Sequence, residues 1–264
     1  MKTYLFSNYY RDKNKERKDE LLTCVNTNAQ MPFIDHSVIF LEDATHKRDI
    51  KYKDKTEFVV QNRRMEFRDV FDYVQKYVPD DSLIIIANLD IFLENSPAWR
   101  NIKEEFFDVG HPDKALVCCR HNLDEDLKVW IENASWERGE FCDAWVMKTP
   151  INPDFFKEDL NFCVGNAPQC DNVMMYLMSK YYHVYSWGSK YRIYHYDVAR
   201  KKETKSELIL NKNTDYRAAE RKSEQVMISA FQNNDKLLKE GKRPQVIPSH
   251  REVYWKGETI FVPL

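Results

Sequence analysis

Between Ser82 and Asn95 the chain reads "SLIIIANLDIFLEN", an aliphatic run that turns polar at Asn88, Asp90 and Glu94. A stretch as uniformly apolar as Leu83 to Ala87 offers no polar face to solvent, so it belongs in the middle of a sheet covered on both sides. Open sheets of that kind bind their ligands beyond the carboxyl ends of the strands. The acidic end of this run is therefore the first place to look for a site.

The surrounding pattern predicts the rest of such a sheet. "KTYLFSN" reads as a first strand ending at Ser7 and Asn8, "KERKDELLTCVNTNA" as a helix with Leu21, Leu22 and Val25 at helical spacing, and "DHSVIFLED" as a second strand. "RRMEFRDVFDYVQKYVPDD" places Phe67, Val70, Phe71, Val74 and Val78 on one helical face and stops at Pro79. Further strands are expected in "KALVCCRHN", "FCDAWVMKTP" and "VYSWGSKYRIYHYD", with a helix opening at Asp171 in "PQCDNVMMYLMSKYYH". This alternation predicts an α/β fold, a mixed but mostly parallel sheet flanked by helices.

After residue 198 the chain becomes charge-rich, followed by a helix in "SEQVMISAFQNNDKLLKEG" and a β-hairpin in "HREVYWKGETIFVPL" that turns at Lys256-Gly257. With six glycines in all and no Gly/Ser-rich linker, the expectation is one main body over residues 1–200 and an extension over 201–264 packed on it. The net charge of −2, with basic and acidic residues interspersed, argues against nucleic acid as a partner. Six cysteines without a CxxC pair read as reduced, buried thiols. The N-terminus fits neither a signal peptide nor a membrane span, so a cytoplasmic protein is expected.

Several residues are candidates for chemistry, each with a plainer alternative. Asn88 and Asp90, two apart, can point together at a ligand while Leu89 stays in the core; Asp90 then holds a divalent cation, or else caps a turn. His195, at the end of "RIYHYD", is either a hydrogen-bonded structural group or a second metal ligand. Asp171 at a helix start is a cap or a general base. Arg64 and Arg68, four apart, form a solvated helix face or a phosphate clamp. Asp143, alone in an apolar strand, requires a partner.

Taken in order, "FSNYYRDKNKERKDELLTCVNTN", "RRMEFRDVFDYV" before "IIIANLDIFLENS", "FCDAWVMKTP", "QCDNVMMYLM" and "RIYHYD" resemble small glycosyltransferases of the GT-A fold, viral and bacterial ones included, over about residues 3–200. The resemblance implies transfer of a sugar from a nucleoside-diphosphate sugar to the hydroxyl of a glycan or glycoconjugate acceptor, with Mn²⁺ or Mg²⁺ as cofactor. Asn88-Leu89-Asp90 stands where the family has its DxD motif, so one carboxylate is an amide and Asp90 matches as the ligand, with His195 as the late histidine. The resemblance further implies Asp171 as the base of an inverting reaction, Tyr9, Arg64, Arg68 and Asn88 near the nucleotide, and Arg120, Asp143 and Trp145 near sugar and acceptor. A catalytically silent nucleotide- or glycan-binding module is the alternative. A nucleotidyltransferase is disfavoured, because no Gly-rich phosphate loop precedes Gly110.

Overall fold

The computed structural model describes residues 1–109, 113–129, 142–165, 170–186 and 190–199, and the backbone of 246–248, 252–255 and 258–261. The predicted charge-rich segment after Ala199 and the helix expected around residues 223–241 lie outside the described residues. The chain runs β1 (Thr3–Tyr9), α1 (Lys15–Ala29), β2 (His36–Leu41), β3 (Thr56–Val60), α2 (Phe67–Tyr77), β4 (Leu83–Ala87), β5 (Ile91–Leu93), α3 (Pro97–Arg100), β6 (Lys114–Asn122), β7 (Cys142–Lys148), α4 (Cys170–Ser179), β8 (His183–Ser186) and β9 (Ile193–His195). Three further strands follow, β10 (Val246–Pro248), β11 (Glu252–Trp255) and β12 (Glu258–Phe261).

The main sheet has the order β10-β8-β6-β7-β4-β1-β2-β3. β7 is antiparallel to both of its neighbours, β4 and β6, and every other adjacent pair on this path is parallel. The fold is therefore mixed α/β with a mostly parallel sheet, as expected. The C-terminal strands β11 and β12 pair antiparallel with Trp255 opposite Glu258, which is the predicted hairpin.

β4 explains why the opening run has no polar face. Successive side chains leave opposite faces of a strand. Ile84 and Ile86 enter one core layer with Phe6, Phe40, Phe67, Phe71 and Trp145, while Leu83 and Ile85 enter the other with Leu5, Ile34, Trp99, Leu116 and Val146. The amphipathic helix α2 covers the first layer through Phe67, Val70, Phe71 and Val74. All six cysteines are free and buried, as their apolar settings suggested. Among the described residues no helix is long and apolar enough to cross a membrane.

Two expectations need correction. α2 begins at Phe67, where Glu66 and Asp69 form a capping box, so Arg64 precedes the helix and does not share a face with Arg68. β3 was not foreseen; "TEFVV" is an edge strand, partly exposed, beside only β2, and it lacks the buried apolar run that marks the other strands.

Because β4 fills both layers, Ile85→Ala is expected to destabilise the protein by about 2–5 kcal/mol. A fall in the midpoint of urea unfolding at unchanged slope is the readout.

Candidate functional site

The parallel strands β1, β2, β4 and β6 all end at one edge of the sheet, and β7, running the other way, begins there, with Ala87 opposite Ala144. Beyond Ala87 the chain leaves the strand and makes a turn through Asn88, Leu89 and Asp90 before β5. Leu89 and Asn88 are both buried, and with Asp90 they border a cavity shared with Asn8, Tyr10, Arg17, Arg64 and Gly165. The two polar side chains border one cavity together with Leu89, through a turn rather than by strand alternation. Glu94, the second acidic residue of the run, instead accepts from the Tyr194 hydroxyl at 2.7 Å.

β5 pairs with β9, with Ile91 opposite His195, and this brings His195 to Asp90. His195 Nε2 lies 3.5 Å from Asp90 Oδ2 and 3.7 Å from Asp197 Oδ2. The ring is fixed from its other side, where His195 Nδ1 is 2.9 Å from Asn122 Oδ1. In the tautomer that donates from Nδ1 to that oxygen, Nε2 offers its lone pair toward the two carboxylates.

These donors fit a divalent cation. Asp90, His195 and Asp197 each offer one ligand atom, all within 4.8 Å of one another. Ligands around an ion bound at about 2.0–2.3 Å stand roughly 3–4.5 Å apart. The separations from His195 Nε2 fall in that range and are too long for good hydrogen bonds. Asp197, two residues after His195, was not among the residues singled out in the sequence.

Helix α1 supplies a second element that sequence reasoning missed. Arg17, buried to 4% exposure, donates from Nη2 to Asp90 Oδ2 at 2.6 Å. Its Nη1 lies 2.8 Å from Asp197 Oδ1, 3.1 Å from Glu20 Oε2 and 3.2 Å from the Tyr196 carbonyl. Burial disfavours the guanidinium charge, but Asp90 and Asp197 more than compensate and hold its pKa above the ordinary arginine value. Glu20 in turn accepts from the Val198 and Ala199 amides at 2.8 and 2.7 Å. The signal was present: Arg17 begins the buried stripe that continues through Leu21, Cys24 and Asn28.

A third group of polar side chains lies where β4, β7 and β6 come together. The Asn88 Nδ2 group donates to Asp143 Oδ1, and Arg120 Nη1 meets Asp143 Oδ2 at 3.0 Å. Burial pushes the Asp143 carboxyl above the usual carboxylate range, opposed by Arg120 and His195. Asp143 thus has the partners that an aspartate in an apolar strand requires. Gly165, at φ +76°, lies so close to Asn88 that a Cβ there would come within 2.7 Å of Asn88 Oδ1. Asp171 occupies the first turn of α4, and its charge acts on the buried Cys142 and Cys170 thiols.

Of the other expected site residues, Arg64 borders the cavity, and Tyr9, Arg68 and Trp145 do not. Tyr9 is fully buried and its hydroxyl donates to Asp49 at 3.1 Å; its neighbour Tyr10 is the tyrosine that borders the cavity. Arg64 covers the Tyr10 ring at 4.1 Å and pairs with Glu42 at 2.7 Å. Arg68 is turned to the 156–158 loop, donating to the Phe156 and Glu158 carbonyls at 2.9 and 2.6 Å. Trp145 is fully buried, its ring 5.0 Å from Phe67 in an edge-on contact, and is a core residue.

No protein-family model matches the chain, and no curated protein matches its sequence. Solved structures to which it is similar include TarS of S. aureus in complex with UDP-GlcNAc, 11% identical, over 86% of this chain and 67% of that one, at a TM-score of 0.49. The mannosyltransferase PcManGT from Pyrobaculum calidifontis, in complex with GDP-Man and Mn²⁺, is 8% identical over 76% of this chain and 58% of that one, at 0.46. The 4-diphosphocytidyl-2C-methyl-D-erythritol synthase from Anaerococcus prevotii is 14% identical over 66% of this chain and 84% of that one, at 0.41.

The Asn88–Asp143 contact predicts the effect of restoring a carboxylate at position 88. Asn88→Asp removes the donor and sets a second carboxylate against one whose pKa is already raised by burial. A raised carboxylate pKa favours the folded state below the unfolded value and loses that contribution as pH rises through the folded value. The variant is therefore expected to lose roughly 1–3 kcal/mol at neutral pH and less near pH 4, read from urea unfolding at the two pH values.

Proposed function

We propose that the chain is a glycosyltransferase that moves a sugar from a nucleoside-diphosphate sugar to the hydroxyl of a glycan or glycoconjugate. The observation that carries this reading is the convergence of Asp90, His195 and Asp197 beside a polar cavity at the carboxyl edge of the parallel strands. Divalent cations held by one or two carboxylates commonly complete their coordination with substrate phosphates. The order of sequence motifs shared with GT-A glycosyltransferases points the same way.

In this reading Asp90, His195 and Asp197 hold the cation. An imidazole among carboxylates suits Mn²⁺ better than Mg²⁺, which keeps to oxygen and water. When bound, the cation supplies charge stabilisation to the departing nucleoside diphosphate. Tyr10 and Arg64 form the cavity wall against which a nucleobase can stack. Asp143 orients Arg120 toward the sugar. Asp171 acts as the general base, taking the proton of the acceptor hydroxyl as it attacks the anomeric carbon from the side opposite the leaving group, which inverts configuration. General base catalysis of this kind contributes about 10²–10⁴-fold.

Thermal unfolding with UDP, GDP, ADP and CDP, each with Mn²⁺, Mg²⁺ or EDTA, tests the reading, because a ligand specific to the native state raises the melting temperature by mass action. One nucleotide is expected to raise it further with Mn²⁺ than with EDTA, and Asp90→Ala is expected to erase that metal increment. Asp171→Asn is expected to bind the nucleotide normally while transfer falls by about 10²-fold or more. Absence of any shift across the panel would leave a silent module that binds something else.

A further inference from the structure

Resting on the reading of the site as a nucleoside-diphosphate pocket, we infer that Arg17 is its resident cation, binding the diphosphate directly and without a metal. The cation-binding donors alone do not account for the way this arginine is placed. Its side chain is 5% exposed, yet it borders the same cavity as Asp90, Asn8 and Tyr10. Its partners engage Nη1 and one hydrogen of Nη2, leaving Nε–H and the second Nη2 hydrogen without an acceptor among the described residues. Arginine presents its donors in a planar fork that matches phosphate oxygens, and a buried fork with donors to spare is a preorganised anion site.

The anchoring of Arg17 strengthens the assignment. Its backbone amide is drawn to the Asn14 cap at 3.3 Å, and its head group is gripped from two chain segments, at Asp90 and at Tyr196–Asp197. A side chain held this firmly loses little further freedom when a ligand arrives. The guanidinium offsets one of the three carboxylate charges around it and so lessens their repulsion of a diphosphate. Arg68, the arginine expected to meet phosphate, is committed instead to two backbone carbonyls. The cavity therefore offers a diphosphate two cationic side chains, Arg17 and Arg64.

The test is calorimetric titration of the full-length protein with UDP and GDP in EDTA and again in Mn²⁺. Wild type is expected to bind one of them in EDTA, and more tightly in Mn²⁺. Arg17→Gln is expected to weaken binding in EDTA at least tenfold, and Arg17→Lys, which keeps the charge but not the fork, by an intermediate factor. Removing Arg17 leaves three carboxylates facing one another, so if Arg17→Gln does not fold the double variant Arg17→Gln/Glu20→Gln replaces it, removing one charge of each sign. Arg64→Gln serves as the comparison within the same cavity and is expected to cost less in EDTA than Arg17→Gln. Binding in EDTA that is unchanged by loss of Arg17, or wild-type binding seen only with Mn²⁺, would overturn the inference while leaving the proposed function standing. Failure of both nucleotides and of the wider panel under every condition would overturn both.

Discussion

The guanidinium of Arg17 joins three parts of the chain that are far apart in sequence: helix α1, the turn after β4 and the segment that leaves β9. It holds Asp90 and Asp197, and Glu20 beside it receives the amides of Val198 and Ala199. Exposed ion pairs add little, but removing one partner from a buried set costs about 3–5 kcal/mol, because the remaining charges are left uncompensated in a medium that solvates them poorly. Such an arrangement fixes geometry more than it adds stability. Asp90, His195 and Asp197 can converge only if β5, β9 and α1 are mutually placed, and Asn28 reinforces that placement by bonding the Ile91 carbonyl and the Leu93 amide from the same helix.

The edge of the sheet then organises the remaining polar groups around this anchor. β7 runs against its neighbours, so its first residues, not its last, reach the edge where β4 and β6 end. That reversal sets Asp143 between Asn88 and Arg120, and it accounts for a carboxylate in an otherwise apolar strand. It also accounts for the amide at position 88. A carboxylate there would oppose Asp143 across a buried contact, whereas an amide donates to it, and Gly165 is the small residue that lets the backbone pass close against Asn88.

Much of the fold was legible because its strands are buried on both faces and its helices are amphipathic, patterns that local sequence carries directly. α1, β1, β2, β4 and α2 fall close to where their apolar periodicity puts them, and the C-terminal hairpin follows from its alternation about Lys256-Gly257. β3 was invisible because an edge strand beside a single neighbour needs no such pattern. The site was legible in its acidic turn and its late histidine, which lie at strand ends. It was not legible in Arg17 and Glu20, whose setting in "KERKDE" looks like a solvated surface until the stripe of Leu21, Cys24 and Asn28 is extended back by one turn. Tyr9 and Tyr10 illustrate the same limit, since adjacent residues at a strand end point to opposite sides and only the three-dimensional edge decides which one meets the cavity.

Asp197 bears on how the departure from DxD should be understood. A DxD motif gathers its acidic groups within one turn, so an amide at its first position looks like a loss of metal chemistry. Here the second acidic donor comes from the far side of His195, and the same arginine that grips Asp90 grips it too. On the proposed function, the carboxylate that the turn after β4 lacks is supplied by the segment after β9, while Asn88 donates to Asp143. On the proposed function, that exchange ties cation binding to the folding of residues 195–199 onto α1, so the donor set forms only once the chain has closed across its first helix.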